Sequence, residues 1–266
     1  MTDQLILPST PAAGVRVLAL NRPSKRNALS QDLITVFLEH LHSASKDDGV
    51  RVIVITGSTT FFCDQLTLPP TAGADIGEIS RLDAEGARKC RYLSDLCSGM
   101  QAVRKPLIAA VEGMALGGGF ELALMCDLIF AAHDSRFGLP EVTIGLIPGA
   151  GGTQRLTNAV GKFKAMQMIL LGRPMLAEEA RSVGLVTDLY ESGAVLEHVV
   201  KDTASTLAAS SPMALGLAKE AICRSDGLGV DHEFERSLYY FAFGTKDKEE
   251  GVKAFLEKRK PDWGTK

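Results

Sequence analysis

The sequence predicts an α/β protein in which strands and helices alternate at first and helices alone follow. Two short runs rich in β-branched residues, Val15–Leu20 and Arg51–Thr56, end in turn residues, as strands do. From about Gly152 onward, apolar residues recur at helical spacing between glycines and prolines. Because strands that alternate with helices favour a mixed core, we expect an α/β fold with a helical C-terminal extension.

The first helix is expected between these two strands, with Ser30 as its N-cap. Its apolar face is formed by Leu33, Val36, Phe37, Leu41 and Ala44. A second helix is predicted from Asp83 to Val103. Its apolar stripe consists of Cys90, Leu93, Leu96, Cys97 and Met100. Both cysteines are therefore expected to pack in the core rather than to react.

Two further apolar segments, Pro106–Val111 and Leu128–Ala132, predict buried strands. A helix is expected to start between them at Gly117–Gly119, and its residues are apolar on every side. A helix of this kind is usually central, so we place it in the core.

Five more helices are predicted in the rest of the chain. They are Lys162–Leu171, Ala177–Val183, Pro212–Cys223, Asp231–Phe241 and Lys246–Lys258. We expect residues 1–200 to form the core and residues 201–266 to form a C-terminal helical region.

Composition and charge exclude several classes of function. The net charge of −3 offers no basic surface for nucleic acid and no polybasic segment for a membrane. The five cysteines include no CxxC pair, and the five histidines include no HExxH spacing, so neither a disulfide framework nor a metal site is indicated. No targeting signal or membrane-spanning run is recognised, which makes the cytoplasm the expected location.

Two glutamates that follow glycine-rich turns are the candidate catalytic residues. Glu121 ends a segment with three consecutive glycines, Gly117–Gly119, whose N–H groups could bind an oxyanion at a helix start. Glu141 lies among apolar residues and glycines, which predicts partial desolvation. Two carboxyl groups in such surroundings can divide acid and base roles. For either residue alone, a solvated surface position is the competing interpretation.

Several motifs, taken in order, resemble the enoyl-CoA hydratase/isomerase (crotonase) family over nearly the whole chain. They are Asn21-Arg22-Pro23, Asn27-Ala28-Leu29, Ala72-Gly73-Ala74-Asp75-Ile76, Ala115–Ala123, Phe137–Glu141, Pro148–Leu156 and Glu250–Arg259. The resemblance implies a spiral of strand, strand, helix units, with C-terminal helices that pack between the subunits of a homotrimer or homohexamer. It also implies an acyl-CoA substrate and no cofactor beyond the CoA that the substrate carries.

The resemblance assigns an oxyanion hole to the N–H groups of Ala74 and Gly118, which would hold the thioester oxygen. It places Ala74, Asp75, Ile76 and Gly77 along the CoA site. Lys25 and Arg26 either bind the CoA phosphates or are solvated loop cations.

By the same resemblance, Glu121 and Glu141 add water across the double bond of a 2-enoyl-CoA to give a 3-hydroxyacyl-CoA. Which glutamate is the acid and which the base stays open, as do acyl length and pathway. Two alternatives are a Δ3,Δ2-enoyl-CoA isomerase and a non-catalytic family member that binds RNA or CoA.

One segment departs from the family pattern. Phe62-Cys63 usually runs directly into the Ala-Gly-Ala-Asp loop, but here the eight residues from Asp64 to Thr71 intervene. Its two prolines predict a surface loop that bulges outward. It could instead shape the acyl pocket or result from a misplaced intron boundary in the gene model.

Overall fold

A computed structural model of the protein describes residues 4–58, 60–64, 76–225 and 232–262. The described strands are β1 (Ile6–Ala12), β2 (Val15–Leu20), β3 (Val52–Thr56), β4 (Phe61–Asp64), β5 (Leu107–Val111), β6 (Met114–Leu116), β7 (Leu128–Ala132), β8 (Arg136–Gly138), β9 (Met175–Leu176) and β10 (Asp188–Tyr190). The described helices of the first part are α1 (Gln31–Lys46), α2 (Ile76–Arg81), α3 (Ala84–Lys89), α4 (Ser94–Gln101), α5 (Gly118–Leu124) and α6 (Gly152–Val160). Those of the second part are α7 (Lys162–Leu171), α8 (Ala177–Ser182), α9 (Val195–His198), α10 (Ser205–Ala209), α11 (Pro212–Ser225), α12 (His232–Ala242) and α13 (Lys246–Leu256). Short 3-10 helices cover Pro23–Lys25 and Glu141–Ile144, and a π-helical turn covers Val199–Ala204.

The strands form two sheets that the chain visits in turn. One sheet has the order β1-β2-β3-β5-β7-β10 and the other has the order β4-β6-β8-β9. From β3 to β8, each strand of the first sheet is followed by a strand of the second. Helices come after each of these pairs, so the repeating unit is strand, strand, helix.

The central strands are parallel and fully buried. β3 pairs with β2 and β5, all in parallel, and every residue of β3 and β5 is buried. Such strands are continuous apolar runs, which is why the sequence reveals them. The edge strand β1 pairs antiparallel with β2 and is mostly exposed. β1 is not among the strands predicted from the sequence. It contains Pro8 and Pro11, which an edge strand tolerates but a central strand does not.

Most of the predicted helices are confirmed. α1 begins at Gln31, where the Ser30 hydroxyl accepts a hydrogen bond of 3.3 Å from the Leu33 N–H. α5 is buried from Gly118 to Ala123, as expected of a central helix. α7 has the predicted bounds. None of the described helices is both long and apolar enough to cross a bilayer.

The single helix predicted from Asp83 to Val103 is wrong. The chain forms α3 and α4 instead, and between them Arg91 (φ 51°) and Leu93 (φ 63°) adopt the left-handed conformation. The apolar spacing continues across this break, so the pattern conceals it. Cys97 is buried as predicted, but Cys90 is exposed.

The C-terminal helices pack onto the core. Lys219 of α11 forms an ion pair of 2.8 Å with Asp127. In α13, Gly251 lies so close to the 3-10 helix that a Cβ there would be 2.5 Å from the Ile144 carbonyl carbon. The predicted boundary at residue 200 stays a prediction, and the chain there is helical from Val195 to Ala209.

Candidate active site

The start of α5 depends on glycine at two positions. Gly117 has φ 57° and ψ −134°, a conformation that residues with a side chain rarely adopt. A Cβ on Gly119 would lie 2.1 Å from the Cys63 carbonyl oxygen. These two constraints place Gly118, the first residue of α5, beside the end of β4. Its N–H group lies at the positive end of the helix.

Glu121 is buried and accepts two backbone hydrogen bonds. Its Oε1 accepts from the Ala150 N–H at 2.7 Å and from the Gly152 N–H at 2.8 Å, and the residue is 1% exposed. The two donors lie at the N-terminus of α6, where Gly151 has φ 90°. Two N–H donors and a helix N-terminus stabilise a negative charge, so the site favours an ionised Glu121.

Glu141 is the first residue of the 3-10 helix at Glu141–Ile144 and is 7% exposed. Its carbonyl oxygen accepts from the Leu146 N–H at 3.1 Å. Gly145 ends this helix in the left-handed conformation, and a Cβ there would lie 2.4 Å from the Asp247 carbonyl oxygen. The predicted desolvation of Glu141 is confirmed, and α13 holds its backbone in place.

Tyr239 of α12 packs beside the segment that holds Glu121. It is 4% exposed, and its ring packs on Gly149, where a Cβ would be 2.4 Å from the Cδ1 atom. The next residue, Ala150, donates its N–H to Glu121. Burial raises the pKa of the Tyr239 phenol well above its usual range, and the charges of Glu121 and Glu141 act in the same direction. Tyr239 therefore remains a neutral hydrogen-bond donor at physiological pH.

The loop before α1 is fixed onto β4. The buried Asn27 donates from Nδ2 to the Phe61 and Phe62 carbonyl oxygens at 3.2 Å, and its own carbonyl accepts from the Cys63 thiol at 3.0 Å. Arg26 lies with its guanidinium 4.9 Å from the centroid of the Phe61 ring. Of the two loop cations, Arg26 thus lies beside β4.

Comparisons with known proteins show the family of the chain. The family model described as enoyl-CoA hydratase/isomerase matches residues 10–266. The chain belongs to the enoyl-CoA hydratase/isomerase family. It is 43% identical over 251 residues to 2,3-dehydroadipyl-CoA hydratase of Escherichia coli, covering 94% of each chain. It is 38% identical to the mitochondrial enoyl-CoA hydratase of Pongo abelii, covering 94% of this chain and 83% of that one.

A solved structure is similar to this chain over the whole fold. The enoyl-CoA hydratase from Bacillus anthracis has a TM-score of 0.75 and 35% identity, over 98% of this chain and 99% of that one. The crotonase fold and the enoyl-CoA hydratase class predicted from the sequence are confirmed by these relatives.

The structure describes only some of the other residues to which the family resemblance assigned a role. Gly118 is the first residue of α5, and Ile76 and Gly77 are the first two residues of α2. Ala74 and Asp75 lie outside the described residues, so the oxyanion pair stays a prediction. Asp64 ends β4 and pairs with Leu116, whereas residues 65–71 of the predicted surface loop lie outside the described part.

Tyr239 is a residue near the site that the sequence pattern does not reveal. Its spacing from Tyr240 and Phe243 fits the buried face of any packing helix, so nothing local distinguishes it. Only the fold shows that this face of α12 packs on Gly149, next to the Ala150 N–H that holds Glu121.

Proposed function

We propose that this hydratase adds water across the 2,3 double bond of a 2-enoyl-CoA thioester, with Glu121 and Glu141 as the acid and base, to give a 3-hydroxyacyl-CoA. One observation carries the assignment of the residues. Two glutamates from separate glycine-rich turns are both buried, and one of them accepts two backbone N–H bonds. Burial of two carboxyl groups is costly, so a surface role does not account for them.

The two glutamates divide the proton transfers. Glu121, whose charge is stabilised by the Ala150 and Gly152 N–H groups, takes the proton from water as its oxygen bonds to C3. The electron pair of the double bond moves toward the thioester oxygen and gives an enolate. Glu141 then delivers a proton to C2, and a proton passed from Glu121 to Glu141 restores the starting state. One water is consumed, and nothing is oxidised or reduced.

The enolate oxygen would accept from the N–H groups of Gly118 and Ala74. Loss of one such donor typically costs about 2.7–4 kcal/mol of transition-state stabilisation. Tyr239, held neutral by its raised pKa, contributes a hydroxyl and adds no negative charge to the site.

Substrate binding would use the residues that precede and begin α2. Asp75, Ile76 and Gly77 line the CoA site in this proposal, and Lys25 and Arg26 bind its phosphates. The reaction needs no cofactor, because CoA arrives as part of the substrate. Replacement of Arg26 by alanine should raise KM more than it lowers kcat if the phosphates bind there.

Self-association is also proposed, as a homotrimer or homohexamer. α7 exposes Phe163, which is 88% accessible, together with Leu170, and α11 exposes Met213 and Leu217. Exposed apolar residues grouped on helices are typical of subunit contacts. Light scattering after size-exclusion chromatography measures the subunit number, and a monomer would contradict the proposal.

The second candidate is a Δ3,Δ2-enoyl-CoA isomerase. Moving a double bond requires one carboxylate that removes and returns a proton, so the burial of both glutamates favours hydration. The test is purified protein with a panel of 2-enoyl-CoA and 3-enoyl-CoA thioesters, with products identified by mass spectrometry. A mass gain of one water supports hydration, and an unchanged mass with a shifted double bond supports isomerisation. A protein that turns over neither panel and binds RNA in a salt-dependent shift assay would be a binding protein.

A further inference from the structure

Two consecutive residues of the loop before α1 have a strained backbone. Arg26 has φ 48° and Asn27 has φ 59°, although neither is glycine. Asparagine adopts this left-handed conformation more readily than most residues, but arginine is rarely found in it. Such strain persists only where surrounding contacts hold the backbone, and it is common at functional sites. The contacts of Asn27 explain how this loop keeps its conformation.

Asn27 is buried, at 1% exposure, and uses both ends of its side-chain amide. Its Oδ1 accepts a hydrogen bond of 2.8 Å from the Arg22 N–H, within its own loop. Its Nδ2 donates to the Phe61 and Phe62 carbonyl oxygens of β4, both at 3.2 Å. The Cys63 thiol donates to the Asn27 carbonyl oxygen at 3.0 Å. Asn27 therefore ties the strained loop to three successive residues of β4.

β4 depends on such contacts because it is the outer strand of its sheet. Of the described strands, only β6 pairs with β4, and Cys63 lies opposite Ala115 in that pairing. An outer strand is held by a neighbouring strand on one edge only. The bonds from Asn27 therefore help to fix where β4 lies.

The end of β4 lies directly against the start of α5. A Cβ on Gly119 would lie 2.1 Å from the Cys63 carbonyl oxygen and 2.6 Å from the Cys63 Cβ. The two backbones are thus in direct contact, and a displacement of β4 would be passed to the first turn of α5. That turn begins at Gly118, whose N–H is one of the two donors in the proposed oxyanion hole.

We propose that Asn27 is a positioning residue of the oxyanion hole: it holds β4 against Gly119 and thereby sets the direction of the Gly118 N–H. The inference rests on the proposed function, which assigns Gly118 to that hole. A donor of this kind acts when it lies about 2.7–3.1 Å from the developing oxyanion, so a small displacement weakens it. Asn27 itself does not touch the substrate in this proposal.

A purely structural role of Asn27 is the competing explanation. Loss of a buried hydrogen bond destabilises a protein wherever the bond lies. A structural role therefore predicts lower thermal stability and an unchanged environment for the carbonyl of a bound thioester. A positioning role predicts a changed environment in a protein that is still folded. The C=O stretching frequency separates the two, because hydrogen bonds to the oxygen weaken the C=O bond and lower its frequency.

The experiment records infrared difference spectra of a saturated acyl-CoA, labelled with carbon-13 at the thioester carbonyl, at saturating concentration. The variants are Asn27→Gly and Asn27→Asp. Glycine adopts φ 59° without strain, so Asn27→Gly removes the amide alone. Asn27→Asp keeps the size of the side chain and the acceptor for Arg22, but it directs an acceptor oxygen at the carbonyl oxygens of β4.

Ser135→Ala is the matched control. Ser135 is fully buried, and its hydroxyl donates to the Val111 carbonyl oxygen at 3.2 Å. The substitution thus removes another buried bond from a side chain to a carbonyl group, and this bond involves neither β4 nor α5.

The thioester carbonyl should absorb at a lower frequency on the unsubstituted protein than in water. In Asn27→Gly and Asn27→Asp the frequency should return toward its value in water. For hydration of a 2-enoyl-CoA, kcat should fall by about 10²-fold in both variants, the cost of a displacement of about 1 Å. Ser135→Ala should keep the lowered frequency and kcat, although its thermal stability falls.

The outcomes distinguish this proposal from the proposed function. An unsubstituted protein that hydrates no 2-enoyl-CoA refutes the function itself. One that hydrates it without lowering the carbonyl frequency refutes the oxyanion hole and with it the role of Asn27.

Three results would overturn the positioning role alone and leave the function intact. They are a lowered frequency that persists in the folded Asn27 variants, a frequency change of equal size in Ser135→Ala, and a folded Asn27 variant that no longer binds the thioester. If Asn27→Gly fails to fold, Asn27→Asp carries the comparison.

Discussion

The site has two parts that are built differently. The part around α5 and α6 is made of main chain: the Ala150 and Gly152 N–H groups hold Glu121, and Gly117 and Gly151 adopt positive φ. The part on α12 is made of side chains from a helix much later in the sequence. The glycines of the first part can be recognised in the sequence, whereas the second part shows only the apolar spacing of an ordinary helix. We infer that the first part can be recognised from the sequence, whereas the second can be recognised only from the fold.

The largest effect should follow when either glutamate loses its ability to transfer a proton. Glu121→Gln and Glu141→Gln each keep the shape of the side chain, so folding should persist while kcat/KM for hydration falls by about 10²- to 10⁴-fold. Thermal unfolding serves as the folding control. Full activity in either folded variant would refute the assignment of that glutamate.

The double variant shows whether the two glutamates act as a unit. If they serve one transition state, Glu121→Gln with Glu141→Gln should be little slower than the slower single variant. Losses that multiply would instead indicate independent contributions.

Gly152→Ala tests the main-chain support without touching either glutamate. A Cβ there would lie 2.8 Å from the Glu121 Oε1, so the carboxylate must shift. A shift of about 1 Å can cost roughly 10²-fold in rate. Gly216→Ala in α11 is the matched control, because neither glycine has a positive φ and a Cβ at Gly216 would meet only the Arg104 carbonyl oxygen, at 3.8 Å. Equal rates in the two variants would show that the position of Glu121 is not critical.

Tyr239→Phe should have a smaller effect, since it keeps the ring packed on Gly149 and removes only the hydroxyl. A neutral hydrogen bond contributes about 0.5–1.5 kcal/mol, so hydration should fall by no more than about tenfold. Steady-state kinetics on one enoyl-CoA checks this. A loss as large as that of Glu121→Gln would show that the Tyr239 hydroxyl takes part directly in the proton transfers.

Deletion of residues 65–71 should have the smallest effect. Asp64 is retained because it pairs with Leu116 in β4. The entropy of closing a loop grows only slowly with its length, so shortening a surface loop changes the free energy of unfolding little. Activity and thermal stability should therefore persist if the segment is a surface loop. A changed preference for acyl length would favour a role in the pocket, and an inactive or unfolded variant would contradict the surface loop. Transcript sequencing tests whether the segment results from a misplaced intron boundary.

The sequence predicts an element correctly where one segment contains the whole characteristic pattern. The buried strands β3 and β5 and the glycine-rich start of α5 are examples, and Glu121 and Glu141 follow from the turns beside them. Strands of two or three residues, such as β8 and β9, carry too little periodicity to be recognised. The break between α3 and α4 is fixed by Arg236 and Tyr240 from a distant helix, so no local signal marks it.

The division of labour between the glutamates can be tested on a saturated acyl-CoA in deuterium oxide. Such a thioester cannot be hydrated, yet its C2 proton can exchange when Glu141 removes it and the thioester oxygen is stabilised as an enolate. Exchange at C2 is followed by mass spectrometry for the unsubstituted protein, Glu141→Gln and Glu121→Gln. The account predicts exchange in the unsubstituted protein, its loss in Glu141→Gln and its partial retention in Glu121→Gln. Exchange at the full rate in Glu141→Gln would contradict it.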